Sequence, residues 1–195
     1  MATRTVTDSR FVAPTTTQQS LSFNGTSDFA TVPITPDVNG FSLSFWIKSG
    51  ASNVGDSDWV MCCTSSLTPT GGFDIYFSFD GAKRFHNRMF NSTTATVNKS
   101  ITNPGSVADV KARWVFVTIT YVPLSYKNYV NGVLNITETA AQMSTPSTFS
   151  IGRRVSSGYG EFLIKNFTLH NTTTPWTATE VSDLYRKNKL PTGAL

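Results

Sequence analysis

The sequence predicts an all-β, antiparallel domain closed by one short helix, and three observations carry that reading. Trp114 to Tyr121 holds no Gly, Pro or charge and is dense in the β-branched and aromatic residues that suit a pleated surface. Asn131-Gly132 separates two extended runs, Lys127 to Val130 and Val133 to Thr137. Asn-Gly in that setting is the strongest short hairpin signal, because a type I′ turn needs positive φ at both central residues. Near the C-terminus the period changes: Thr177 followed three residues later by Glu180 reads as a capping box, the start of a helix over Thr177 to Lys189.

Composition agrees. The chain has 195 residues, one domain's worth, enough to bury a substantial core. Charged residues make up 14%, while Ser, Thr and Asn abound, as in antiparallel sheets with one wet face. The net charge of +4 is not gathered into a basic, aromatic-interleaved stretch, so no nucleic-acid partner is expected. Neither a secretory leader nor an apolar run of bilayer length is recognised, so no membrane partner is expected either. Cys62 and Cys63 are neighbours that an extended strand points to opposite faces; they read as small core residues and not as a disulfide framework.

In chain order, residues 1–20 are polar, Thr-rich and interrupted by Pro14, with Phe11 and Val12 as the one adjacent apolar pair. The segment is expected to be an extended arm, with residues 21–195 forming the sandwich. Leu21 to Phe23 and Phe29 to Val32 flank the turn-rich NGTSD. Phe41 to Lys48 alternates, with Phe41, Leu43, Phe45 and Ile47 facing in and Ser42, Ser44, Trp46 and Lys48 facing out. Trp59 to Thr64 is a short strand after a polar loop. Phe73 to Phe79 alternates again and leads through Asp80-Gly81 into Lys83 to Phe90. A two-residue loop there would place Arg84 and His86 on the core face. One more loop residue pairs Phe77 with Phe85, Phe73 with Met89, Asp74 with Arg88 and Tyr76 with His86, and since a one-residue slip inverts every side chain, the pattern selects the longer loop. A short strand is expected near Thr96 to Ile101. Both alternating sets of Trp114 to Tyr121 begin apolar, so that strand is covered on both faces, with Trp114 in the core. In the next hairpin Tyr129 pairs with Leu134 and Val130 with Val133. Glu161 to His170 is the last strand. On the helix, Val181, Leu184 and Tyr185 share a face, and Arg186, Lys187 and Lys189 complement the negative end of its dipole.

LSFNGTSDFATVP, FSLSFWIK, ARWVFVTITY, YVNG, FSIGRR and the closing PWTATEVSDLY, in this order, resemble the laminin-G-like branch of the concanavalin A-like lectin/glucanase superfamily over about Leu21 to Lys189. The resemblance implies a two-sheet antiparallel jelly-roll sandwich, one sheet concave, ending in a strand and a short helix. It leaves function open, since this fold serves lectins, glycosidases, receptor modules and virion proteins.

Chemistry narrows the choice. Retaining glycosidases of the superfamily carry an E-x-D-x-x-E strand, because the reaction needs paired carboxylates. The three glutamates here, Glu138, Glu161 and Glu180, have no such spacing, and neither His86 nor His170 has a nucleophile or base context. A non-enzyme is expected. Asn53, Asp56 and Asp58 form a short acidic loop whose oxygens suit calcium, although a solvated loop is the commoner meaning of such a cluster. No Cys/His set has zinc spacing. Tyr76, Arg84, His86 and Arg88 would gather a stacking ring and several donors on the outward face of their hairpin, a candidate carbohydrate site, against the plainer reading of Asp74 and Arg88 as an ordinary cross-strand pair. Trp46 is expected to pack. Asn24, Asn91, Asn98, Asn135, Asn166 and Asn171 begin N-x-S/T sequons. Two functions remain. The preferred one is a non-catalytic structural or adhesion protein of a virion surface (capsid, decoration or fibre), homo-oligomeric or bound to other virion proteins, with Phe11 and Val12 of the arm docked on an adjacent subunit. The alternative is a carbohydrate-binding lectin module of a cell-surface or secreted protein.

Overall fold

The structure, a computed structural model, describes residues 20–49, 57–62, 71–78, 84–91, 94–100, 113–139, 142–146, 149–154 and 157–188. Two six-stranded antiparallel sheets form the sandwich. The first sheet is built from β1 (Leu21–Asn24), β3 (Phe41–Ser49), β8 (Val115–Val122), β9 (Ser125–Val130), β10 (Val133–Glu138) and β14 (Glu161–Asn171) in the order β1-β14-β3-β8-β9-β10. The second holds β2 (Ala30–Val32), β4 (Ser57–Cys62), β5 (Gly71–Ser78), β6 (Arg84–Asn91), β7 (Thr94–Ser100) and β11 (Phe149–Ile151) in the order β2-β11-β4-β5-β6-β7. A two-stranded ribbon, β12 (Arg153–Arg154) with β13 (Ser157–Tyr159), and one helix, α1 (Ala178–Lys187), complete it. The runs on either side of NGTSD therefore enter opposite sheets, a crossover that local pattern does not reveal.

The registers follow the side-chain period. Along β3 and β8 the pairs Leu43↔Ile119, Phe45↔Val117 and Ile47↔Val115 turn their apolar set inward. There they meet Ile75, Phe149 and Ile151 of the other sheet. In the β5–β6 hairpin Phe77 faces Phe85, Phe73 faces Met89, Asp74 faces Arg88 and Tyr76 faces His86, the register of the longer loop. In the β9–β10 hairpin Val130 faces Val133 and Tyr129 faces Leu134. Asn131 and Gly132 both have positive φ, 51° and 79°. Asn131 also ties the turn to β8: its backbone N–H donates to the Phe116 carbonyl at 2.8 Å, and its Oδ1 accepts from the Phe116 N–H at 3.0 Å. A Cβ on Gly132 would lie 3.0 Å from Cβ of Tyr185, tighter than ordinary van der Waals contact.

On the outer face of the first sheet Ser42 and Ser44 depart from their expected outward, wet position, whereas the packing of Trp46 and the cover on both faces of β8 are as expected. Ser42, Ser44 and Trp46 are buried, as are Phe116, Thr118 and Thr120 on the neighbouring strand. The cause is the C-terminal segment, which folds back over this face. The Trp176 N–H donates to Ser42 Oγ at 2.9 Å, so a small hydroxyl there lets the chain approach and satisfies its backbone donor. Tyr185 of α1 closes a triad with Trp46 and Phe116, their ring centroids 5.2–5.9 Å apart. Val181 is fully buried. The cap is as expected, with the Glu180 N–H donating to Thr177 Oγ1 at 3.3 Å and the Thr177 N–H donating to Glu180 Oε2 at 2.7 Å.

Two further expectations shift, and one feature is new. Trp114 precedes β8 and is half-buried, not core. β4 begins at Ser57, two residues earlier than expected, and Cys63 lies outside the described residues. Tyr126 and Asn128 bring polar groups into the inter-sheet core, where the Tyr126 hydroxyl and both amide atoms of Asn128 lack partners.

Two outcomes follow from this packing. Trp46→Ala removes the central ring of the outer triad and is expected to cost about 3–5 kcal/mol in denaturant unfolding. Tyr126→Phe, which deletes an unsatisfied hydroxyl, should be neutral or stabilise by up to about 1 kcal/mol. Burial raises the Tyr126 phenol far above its ordinary range. Unfolded tyrosines ionise from about pH 10 while this one stays neutral, so stability falls as pH rises beyond that point. Tyr126→Phe should make that fall less steep. At the helix, Thr177→Ala should cost about 1 kcal/mol. Hydrogen bonds from Thr177, first from its backbone and then from its side chain, hold the Glu180 carboxyl below the ordinary glutamate value of about 4.3. Their contribution is therefore complete above that pH and is lost as pH falls through the lower folded value, which amide shifts of the first helical turn would follow.

Candidate functional site

The β5–β6 hairpin carries the candidate carbohydrate residues at backbone positions that face one another: Tyr76 opposite His86, Ser78 opposite Arg84, and Asp74 opposite Arg88. The period of two places Asp74, Tyr76 and Ser78 on alternate positions of one strand. Asp74 was expected on an outward face, yet its exposure is 0%, as is that of Ile75 beside it. Both faces of β5 are therefore covered at this level, and Asp74 is itself engaged in an interaction.

The acidic loop is divided. Asp58 stands on β4, opposite Phe77, so it is a strand residue and not a loop residue. Asn53 and Asp56 lie outside the described residues, as do Phe11 and Val12 of the arm. Among the described residues no three His, Cys, Asp or Glu side chains converge on a point that could hold a metal.

The glutamates are dispersed over three elements, Glu138 closing β10, Glu161 opening β14 and Glu180 in the first turn of α1. His170 stacks on Trp176 with centroids 6.3 Å apart, which gives it a packing partner at the start of the helix cover. Two sequon asparagines are already used by the fold. Asn24 Oδ1 accepts from the N–H groups of Thr26, Ser27 and Asp28 at 2.9–3.1 Å, shaping the turn between β1 and β2. Asn171 accepts from the Asp37 N–H and donates to the Thr35 carbonyl, both at 2.9 Å, holding the loop before β3.

One charged residue was invisible to sequence pattern. Lys165, in mid-β14, is 7% exposed, and its Nζ stands 4.1 Å from the centre of the Trp114 ring. Alternation with Phe162 and Ile164 would place it on a solvated face; the folded-back C-terminal segment is the feature that alternation does not show. Desolvation holds its ammonium below the usual lysine range.

Comparison with known proteins agrees with this architecture. No curated protein matches the sequence. Among solved structures, the botulinum neurotoxin serotype D binding domain superposes with a TM-score of 0.64 at 15% identity, covering 87% of this chain and 43% of that one. The botulinum neurotoxin type G receptor binding domain gives 0.56 at 18% identity, covering 86% and 46%. The binding domain of botulinum neurotoxin DC, solved in complex with rat synaptotagmin II, gives 0.54 at 18% identity, covering 77% and 36%. The chain thus spans less than half the length of each. At these identities the likeness is one of fold. No described helix is long and apolar enough to cross a membrane. Residues 24–182 match the laminin G-like model described as concanavalin A-like lectin/glucanases superfamily, and with most of its length inside that match the chain belongs to this family.

Proposed function

We propose that the chain is a non-catalytic recognition domain that binds glycan through the tip-proximal half of the β5–β6 hairpin, with Tyr76, Arg84 and His86 as contacts and Arg88 at the margin. The observation that carries this reading is the hairpin register, which sets Tyr76 opposite His86 and Ser78 opposite Arg84. It draws a stacking ring, an imidazole and a guanidinium onto one short ladder, the few convergent polar groups around an apolar surface that ligand sites use. Dispersal of the glutamates over three elements supports a binding role over glycoside hydrolysis, which needs two carboxylates across one bond. A solved neighbour that shares the fold over part of its length is named as a receptor-binding domain, which accords with a recognition role.

In this reading the setting is a virion surface, where the domain serves as a capsid, decoration or fibre protein and residues 1–20 join neighbouring copies through Phe11 and Val12. The support is the arm's composition: too few apolar groups to offset its own ordering, at roughly 1–2 kcal/mol of backbone entropy per residue.

Two measurements test the proposal. On a glycan panel, Tyr76→Ala and His86→Ala are each expected to weaken the strongest binding about tenfold, the effect of losing about 1.4 kcal/mol. Incubation with β-glucans should release no reducing ends. Binding unchanged in both variants, or turnover abolished by changing a single Asp or Glu, would overturn the recognition reading. Light scattering tests the setting: deleting residues 1–20 should lower the assembly mass while leaving the melting transition nearly intact, and an unchanged mass would remove the arm's role.

A further inference from the structure

We infer that Asn24 is a site of spontaneous chemical modification, where the side-chain amide is hydrolysed to the carboxylate of aspartate, and that the turn it shapes promotes the reaction and retains its product. The site stands apart from the β5–β6 hairpin, which belongs to the other sheet.

The chain holds three Asn-Gly pairs, Asn24-Gly25, Asn39-Gly40 and Asn131-Gly132. Each can react through its own backbone. The glycine nitrogen, unhindered by a side chain, loses its proton to base and bonds to Cγ of the asparagine. The Cγ–Nδ2 bond then breaks, ammonia leaves with the proton returned, and a cyclic imide remains. Water opens the imide, restoring the glycine N–H and leaving one carboxylate. Opening at Cγ gives aspartate, and opening at the main-chain carbonyl gives isoaspartate. Water is the one co-reactant, and nothing is oxidised or reduced.

Charge separates the three pairs. During the attack negative charge develops on Oδ1, so donors aimed at that oxygen favour the step and a nearby carboxylate opposes it. Asn24 Oδ1 accepts from the N–H groups of Thr26, Ser27 and Asp28, at 3.0, 2.9 and 3.1 Å. Its Nδ2, the leaving nitrogen, donates to Ser27 Oγ at 3.1 Å, and the residue is exposed, so water can take over that bond. At Asn39 the field is reversed. Its backbone N–H and Nδ2 both donate to Asp37 Oδ1, at 2.8 and 3.0 Å, which sets a carboxylate against the reacting amide. The Gly40 nitrogen is also engaged, donating to the Asp37 carbonyl at 3.2 Å. At Asn131 the obstacle is conformational. Closing the ring needs rotation of the asparagine backbone, and there a positive φ is fixed by two bonds to Phe116 and by the packing of Gly132 against Tyr185.

The turn also suits the product. A carboxylate at position 24 would accept the same three N–H groups in charge-assisted bonds, about twice as strong as neutral ones. Two acids oppose the new charge: Glu161, directly across on β14 and already engaged, and Asp28, which is exposed. Repulsion screened by solvent is worth less than three aligned donors. Isoaspartate would add a methylene to the main chain and pull the oxygen away from those donors. The fold keeps the reactive pair in place, since Gly25 has φ 73° and a Cβ there would lie 3.1 Å from Cβ of Glu161.

The test is peptide mapping of the full chain by mass spectrometry during incubation in mildly alkaline buffer, once native and once in denaturant, with fragmentation that separates aspartate from isoaspartate. In the native protein Asn24 should convert about tenfold faster than Asn39 or Asn131, and chiefly to aspartate. In denaturant the three pairs should convert at similar rates. At neutral pH the Asn24→Asp variant should melt no lower than the parent. Native conversion at Asn24 no faster than at the other two overturns the site, and the same preference in denaturant overturns the role of the turn. Isoaspartate as the main native product, or a lower melting temperature of Asn24→Asp, overturns the retention of the product.

Discussion

The structure depends on one constraint: the central pair β3 and β8 is buried on both faces. Every residue of β8 from Val115 to Tyr121 is inaccessible, and so is β3 from Phe41 to Ile47. A strand in that position needs two covers. The second sheet supplies one through Ile75, Phe149 and Ile151. The C-terminal segment supplies the other, through α1 and the chain before it. The placement of the helix, the use of Ser42 as an acceptor and the tight Gly132 turn against Tyr185 all follow from the need to close the outer face. The same closure buries Lys165 and Trp46 and leaves the Trp46 indole N–H without an acceptor.

Much of this was legible in the residues. Apolar character on both alternating sets of Trp114 to Tyr121 announces a strand covered twice, Asn131-Gly132 fixes a hairpin and its register, and the core-face pattern of Phe73, Ile75, Phe77 and Phe85 selects the register that pairs Phe77 with Phe85. Thr177 and Glu180 mark the start of the helix. What was illegible is what depends on distant chain. Ser42 and Ser44 read as solvent-facing because their alternation is polar, yet they lie under a segment more than 130 residues away in sequence. Asp74 reads as an outward partner of Arg88, and the backbone pairing is as expected, but burial at both Asp74 and Ile75 is a tertiary property. Asp58 reads as part of an acidic loop because strand β4 has no period strong enough to show its early start.

The proposed hairpin site gathers chemically suitable residues at facing positions of one ladder, where the register sets Tyr76 opposite His86 and Ser78 opposite Arg84.

Native-state hydrogen exchange tests the central constraint most directly. If β3 and β8 are held by two covers, the amides of Leu43 to Ile47 and Val115 to Tyr121 should exchange only through global unfolding, while those of α1 open at lower free energy with the outer cover. Exchange of the β8 amides faster than those of the edge strand β10 would contradict the account.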